Sequence, residues 1–403
     1  MDLFSQKINS SPFEFSKAIK AKGPIFFSPL EQFWVVSDYG LAVTVLKSGD
    51  FSADRSAFFM SKASGCPFHK VANFFGVVKK MMVTSDPPDH TQRRRLASSG
   101  MNDQILDQFV PNVKSVVGNL LDQIKDQTNI EFVEQIALPL PNIILADLFS
   151  IPPENRRDFY RWSNYMTQFF GGGSSEIIRD AENADDGALQ LSQYFTKLMK
   201  ERKQNLQNDF ISNLLRAQGS LDDSELISQA AIMLVAGTVT TTDQICNNLF
   251  SLLKSGIYQK LVQDQNLLDQ AIEEATRLDP SVNFIFRVAK VDSVLAGVEI
   301  KAGQMVFISN HAVNRSEKMF SKPDDFVLDR EKNPHLSYGS GIHYCLGARL
   351  ARIQMRELFG QLILRYPNLS LDSKSNPIKK HQSLAFSGYE TLPLQLINSK
   401  EQI

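Results

Sequence analysis

The sequence predicts a mainly α chain with a small β-rich lobe. Three observations carry that expectation. Helical periodicity dominates from Asp86 to Leu278. Short strand-like pieces stand near the front of the chain and again after Pro280. A long helical pattern follows Cys345 and runs to about Arg365. The chain has 403 residues, 43% of them hydrophobic, enough for a large core. No convincing linker interrupts it, so residues 1–403 read as a single domain.

Taken in order, Pro24–Ser28 and Phe33–Ser37 read as two strands around a turn at Leu30–Gln32, followed by a helix over 39–47. Phe51–Val83 has no clean period and is rich in Phe, Met, Lys and small residues. So long an irregular stretch is functional or mobile. Helices are expected over 89–99, 103–126, 154–170, 181–204, 209–218, 222–254 and 267–278. The prolines of Asp86-Pro-Pro-Asp89 open the first of these, with Asp89 placed to cap it. Asp222 and Glu225 resemble a capping box at the start of the 222–254 helix, and Gly256 marks its stop. Gly171-Gly-Gly-Ser-Ser175 is a flexible break and a candidate lid hinge. Beyond Pro280, strands are expected at Phe284–Ala289, Val294–Ile300 and Val306–Ser309, with a last one at Leu392–Ile397.

Composition excludes several functions. Lys plus Arg is 43 and Asp plus Glu is 44, without the basic excess of a nucleic-acid binder. Three cysteines with no C-x-x-C pair argue against a zinc site or a disulfide framework and fit a reducing compartment. The N-terminus does not read as a signal peptide. The longest apolar run, Ala230–Val239, is about ten residues, where a membrane span needs ~20. A soluble, cytoplasmic, monomeric protein is expected, with no membrane or nucleic-acid partner.

One segment carries most of the chemistry: His335-Leu-Ser-Tyr-Gly-Ser-Gly-Ile-His-Tyr-Cys-Leu-Gly347. It sets Cys345 among glycines, just before a long helix. Backbone N–H groups and the positive helix end there favour a thiolate. Gly339, Gly341 and Gly347 let the backbone approach a large flat object. Cys246, inside a helical run, reads as a buried hydrophobe, and Cys66 of Ser-Gly-Cys-Pro-Phe-His69 as a loop cysteine.

The string resembles the cysteine-ligand loop of the cytochrome P450 family, with Tyr338 where that family usually has Phe. Other motifs stand in the family's order. Glu274 and Arg277 form E-x-x-R, and Arg330 sits where the third member of that buried network belongs. The resemblance implies the P450 fold, with heme b (iron protoporphyrin IX) between a long central helix and the Cys345 loop. It implies Cys345 as the metal ligand, with Gly347 beside it. It further implies His90, Arg94, Arg287 and His343 as the groups that hold the heme propionates. In Ala236-Gly-Thr-Val-Thr-Thr-Thr-Asp243, Gly237 would make room for dioxygen, and Thr240 would hydrogen-bond it and help deliver protons.

The implied activity is a monooxygenase inserting one atom of dioxygen into an apolar small molecule, a polyketide, peptide or terpene of secondary metabolism. Electrons would come from a ferredoxin or flavodoxin and its reductase. The sequence departs from the family at Val239, where an acid usually precedes the threonine. That leaves a peroxide-driven or non-oxygenating heme-thiolate enzyme as the alternative, and Asp243, one turn on, as a remote acid. Arg349, Arg352 and Arg356 make a helical basic stripe, either a solvated face, with Glu357 near enough to pair, or a landing site for an acidic electron donor. Phe58, Phe59, Phe74, Phe75, Met81, Met82 and Phe284 are candidate apolar contacts for substrate.

Overall fold

A computed structural model describes residues 11–56, 71–171, 176–380 and 385–396. Cys66, Phe58, Phe59, the Gly172–Ser175 part of the expected hinge and the last residue of the final strand lie outside them.

The helices are α1 Pro12–Lys20, α2 Tyr39–Lys47, α3 Ala72–Val78, α4 Asp89–Ser99, α5 Asp103–Gln123, α6 Pro139–Leu148, α7 Arg156–Gly171 and α8 Ile177–Gln204. They continue with α9 Phe210–Ala217, α10 Asp223–Gly237, α11 Val239–Lys254, α12 Ile257–Gln263, α13 Leu268–Leu278, α14 Asn310–Val313 and α15 Ala348–Arg365. Among the described residues, no helix is long and apolar enough to cross a membrane.

The β lobe joins the two strand-rich parts of the chain. Strands β1 (Ile25–Ser28), β2 (Phe33–Val36) and β3 (Phe51–Ser52) come from the front, and β5 (Phe284–Ala289) and β8 (Met305–Ser309) from beyond Pro280. They form one sheet in the order β1-β2-β8-β5-β3. β2 and β8 run parallel with Trp34 opposite Val306, while β5 pairs antiparallel with β8, Phe284 opposite Ser309. The expected single strand 294–300 is instead a hairpin of β6 (Ser293–Leu295) and β7 (Val298–Ile300). It turns at Ala296 and Gly297, both at positive φ, the backbone a tight hairpin turn needs. Smaller pairings join β4 (Asn129–Glu131), β9 (Ser370–Leu371) and β12 (Pro393–Gln395), and β10 (Ile378–Lys379) with β11 (Tyr389–Thr391).

The Asp222 capping box forms, with Glu225 as its other half. The 222–254 helix does not run through, however: it breaks at Thr238, between α10 and α11. The carbonyls at the break find other donors. Val235 O accepts from Thr167 Oγ1 at 3.0 Å and Ala236 O from Thr240 Oγ1 at 2.5 Å. Hydroxyls that compete for backbone groups are a known cause of such kinks. At the other end Gly256 sits at φ 71 and stops α11 as expected.

Two expectations at the front need correction. Asp89 is the first residue of α4 and caps nothing; Pro88 holds the cap position without a side-chain bond. Part of the supposedly irregular 51–83 stretch is helix α3, fixed at its start by Asp185 of α8. That carboxylate accepts from Phe74 N at 2.9 Å and Asn73 Nδ2 at 2.8 Å.

Candidate functional site

The Cys345 loop rests on a buried ionic floor. Glu274 is 1% exposed and Arg277 0%, so their charges must be met by partners. Arg277 donates to Glu274 from Nε and Nη2, both at 2.8 Å, and Arg330 Nε adds bonds of 2.9 and 3.0 Å. The three-member network therefore forms, with Asn333 Nδ2 and Val327 N as further donors to the same carboxylate. A second pair lies beside it. Arg352 grips Glu273 by two bonds of 2.7 Å, and His335 Nε2 adds one at 3.2 Å. Burial works against the Glu273 carboxylate, yet these hydrogen bonds prevail and hold its pKa down at about 2.

Above this floor the loop turns through Gly339 and Gly341, both at positive φ. Their role is turn geometry: a Cβ at Gly341 would press on Leu46 O at 3.0 Å. Gly347 differs, since a Cβ there would meet nothing within 4 Å. Cys345 N donates to Tyr338 O at 2.9 Å. Arg94 Nη2 donates to Tyr344 O at 2.7 Å, tying α4 to the loop. The Cys345 side chain is exposed to the cavity. Its removal from bulk water raises the thiol, while the N–H groups of Gly347 and Ala348 and the charges of Arg94 and Arg352 pull it down. A metal bound at this sulfur would favour the thiolate further.

Cys345 lines a cavity of about 330 Å³. Ala236, Gly237, Thr240, Thr241 and Gln244, around the α10–α11 break, line it from the central helix. Leu145, Phe170, Ile232, Phe284 and Phe386 supply apolar wall. Gly237 packs closely on α6: a Cβ would lie 3.0 Å from Leu145 Cδ1, so that side chain would have to shift. Val239 is not among the lining residues, whereas Met82 and Phe284 are. Phe74, Phe75 and Met81 belong to the buried core instead.

Cations collect along one edge. Arg94, Arg287 and His343 line the cavity. His90 does not, but packs against His343 with ring centroids 4.1 Å apart and the planes tilted by 53°. Its Nε2 is buried and without a hydrogen-bond partner among the described residues. Arg55, which the sequence reading missed, also lines the cavity, and its Nε has no hydrogen-bond partner among the described residues. Nothing in the sequence singled it out, because it falls in the stretch from Phe51 that shows no clean period. Burial lowers Arg55 and Arg287 to about 10, and the charge of Arg287 depresses Arg55 further. Burial and Arg287 push His343 down to about 3. Guanidinium groups enclosed together with orphaned donors call for an anion. A planar group carrying two carboxylates, with its metal at Cys345, fits this donor set.

The family model for cytochrome P450 matches residues 31–394. The chain belongs to the cytochrome P450 family. It is 31% identical over 365 residues to cytochrome P450 CYP107DY1 of Priestia megaterium, covering 87% of this chain and 86% of that one. It is 28% identical to the polyketide biosynthesis cytochrome P450 PksS of Bacillus subtilis, covering 97% of each. A solved structure of P450BioI in complex with hexadec-9Z-enoic acid ligated acyl carrier protein matches with TM-score 0.88. Its identity is 28%, with 97% of this chain and 100% of that chain covered. Cytochrome P450s are heme b oxidoreductases that take small-molecule substrates and electrons from redox partners, so this chain is a P450 enzyme with heme b as cofactor.

Proposed function

We propose that this P450 is a single-domain, dioxygen-dependent monooxygenase of an apolar small molecule of secondary metabolism, a polyketide, peptide or terpene. One observation carries the reading: a mostly apolar cavity has Cys345 on one wall and the broken central helix at Gly237–Thr241 on another. Heme b bound in the cavity supplies dioxygen activation, with a thiolate as its protein ligand. Cys345 holds the metal. Arg94, Arg287 and His343, backed by His90 and joined by Arg55, meet the propionates. Gly347 leaves backbone space beside the ring.

Thr240 Oγ1 is the protein's proton-bearing group at the reacting face. It parks on Ala236 O and can turn from there toward ordered water or a polar group on the substrate. Asp243 is committed to Lys380 at 2.6 Å. The polyketide and acyl-carrier relatives support a large, mostly apolar substrate. Electrons are assigned to a ferredoxin or flavodoxin with its reductase, and the enzyme to the cytoplasm as a monomer.

Reconstituted enzyme, ferredoxin, reductase and NADPH should convert a substrate found by a spectral-shift screen. Under labelled dioxygen the product should gain one labelled atom. Val239 supports the peroxide-driven alternative. Turnover with hydrogen peroxide but none with dioxygen and reductase would establish that alternative and sink the proposal.

A further inference from the structure

Behind the central helix lies a buried set of charges that the oxygen chemistry does not use. Asp243, on α11 one turn after Val239, is 0% exposed and 2.6 Å from Lys380 Nζ through Oδ1. The next lysine back, Lys379, reaches the buried Asp279 at 2.9 Å. Both lysines stand at the end of β10. One turn along α11, Asn247 Nδ2 donates to Ser387 O at 3.0 Å and to Asp279 O at 3.2 Å.

Residues 385–388 lead into β11, and Ala385 and Phe386 line the cavity. Lys380 N donates to Gly388 O at 3.0 Å. A Cβ on Gly388 would collide with the Asp243 carboxylate, so that carboxylate packs directly on the backbone of the segment. Further bonds run from Ser387 N to Ser281 O at 2.8 Å, Asn283 N to Ala385 O at 2.7 Å and Ala385 N to Gly171 O at 3.1 Å. The 385–388 segment thus hangs between the central helix and the cavity. The half-buried Asp243–Lys380 pair flanks it, touching it through the Asp243 carboxylate packed on Gly388 and the Lys380 N bond to Gly388 O.

We propose that Asp243 and Lys380 are positioning residues: their ion pair sets the 385–388 segment against ligands that fill the distal cavity, and so controls recognition of large ligands. The proposal rests on the reading of this cavity as the substrate site. Neither residue lines the cavity. The pair acts through Gly388 and Phe386. A small ligand at the metal would not feel the clamp, whereas one extending to Phe386 would.

The same geometry makes the clamp sensitive to pH. Burial raises Asp243 to about 6, against Lys380 and Lys379 and assisted by Asp279. Tyr160 faces Lys380 from α7, and Cys246 lies next along α11. Protonating Asp243 removes the charge that Lys380 answers.

The test compares imidazole with clotrimazole, a small and a large azole, each titrated by the shift of the heme absorption band. Asp243→Asn and Lys380→Met should weaken clotrimazole roughly tenfold, equivalent to about 1.4 kcal/mol, and leave imidazole unchanged. Lys380→Arg should restore clotrimazole binding, and Gly388→Ala should reproduce the loss from the other side of the contact. The double variant should be no weaker than either single one, because the pair is one interaction. The wild-type advantage over Asp243→Asn should vanish below pH about 6. Ligand protonation cancels there, since one ligand is compared between two proteins. Unchanged clotrimazole affinity in both single variants, or equal loss of both azoles, would overturn the clamp. The carbon monoxide spectrum separates the premises: loss of the thiolate band in the wild type would instead defeat the heme-site reading.

Discussion

Thr167 of α7 donates its hydroxyl to the carbonyl of Val235 at 3.0 Å, and shares it with Ser163 O at 2.8 Å. Thr167 is 1% exposed, so the break in the central helix is met by a neighbouring helix without need of solvent. Thr167→Val keeps the shape and removes the donor. A buried carbonyl left unpaired costs ~1–3 kcal/mol, and chemical denaturation should show that loss. Thr196→Val, an exposed hydroxyl on α8 with a similar backbone bond, should stay within ~0.5 kcal/mol of wild type. Equal, small effects would mean the Val235 carbonyl does not depend on Thr167.

Cys345→His should lose the red-shifted carbon monoxide band of reduced heme-thiolate protein. Cys66→Ser should keep it, and so should Cys246→Ala, whose thiol is wholly buried away from the cavity. Loss of the band in folded Cys66→Ser would remove Cys345 from its assigned role.

Thr240→Ala should divert electrons from product to peroxide. General-acid help is typically worth ~10²–10⁴ in rate, so product per NADPH should fall well beyond assay error. Val239→Ala, off the cavity wall, should keep the wild-type ratio. A substrate analogue lacking its polar group should uncouple the wild type as Thr240→Ala does. Full coupling in Thr240→Ala would exclude this hydroxyl from proton delivery.

Two carboxylates act on stability with opposite signs. Glu273 has its pKa lowered to about 2 from the ordinary 4.5. Its ionised form is favoured in the folded state, so its contribution is full above pH ~4.5 and is lost as pH falls toward ~2. That contribution is at most about 3 kcal/mol. Asp243 is raised to about 6 from 3.8. The folded state therefore holds a proton that the unfolded chain has released, and this group's contribution falls as pH rises from ~4 to ~6. Glu273→Gln should flatten the acid limb of a stability–pH curve, and Asp243→Asn should flatten the limb between pH ~4 and ~6. An unaltered acid limb in Glu273→Gln would show that Arg352 and His335 do not hold that carboxylate in solution.

Glu274→Gln leaves Arg277 and Arg330 facing an uncharged group in a nearly closed site. Breaking one partner of a buried ion pair costs ~3–5 kcal/mol, so heme-loaded protein should unfold at much lower denaturant concentration. A shift no larger than that of a surface substitution would mean the network is not structural.

What the sequence disclosed followed from local rules. The Asp222–Glu225 cap, the Gly256 stop and the E-x-x-R pair depend on residues within a turn of one another. The features it concealed depend on neighbours far along the chain. α6 reads Pro-Leu-Pro-Asn-Ile-Ile-Leu-Ala-Asp-Leu; apolar residues on nearly every side leave no period to detect. α3 has Phe on two adjacent positions and a glycine inside it, and its start is tied down by Asp185, more than a hundred residues away. The Val235 carbonyl at the break is met by Thr167 from another helix, and Arg55 gains meaning only beside Arg287 and His343. Ala296-Gly297 did carry a turn signal within the expected 294–300 strand, and the run of apolar residues around it masked it.

The three arginines of α15 bear on how an electron donor finds the enzyme. Arg349 meets Asp103 and Asp107, Arg352 meets Glu273, and Arg356 meets Asp269 at 3.4 Å. Three positive charges are thus answered by four negative ones drawn from α5 and α13, so the stripe offers no positive excess to draw in an acidic donor over the ~10 Å that screening at moderate salt allows. Encounter there would be governed by contour and by exposed Ile342 and Tyr344 more than by attraction at a distance. Reduction rates should accordingly change little between dilute and concentrated salt, and donors of quite different net charge should prove interchangeable.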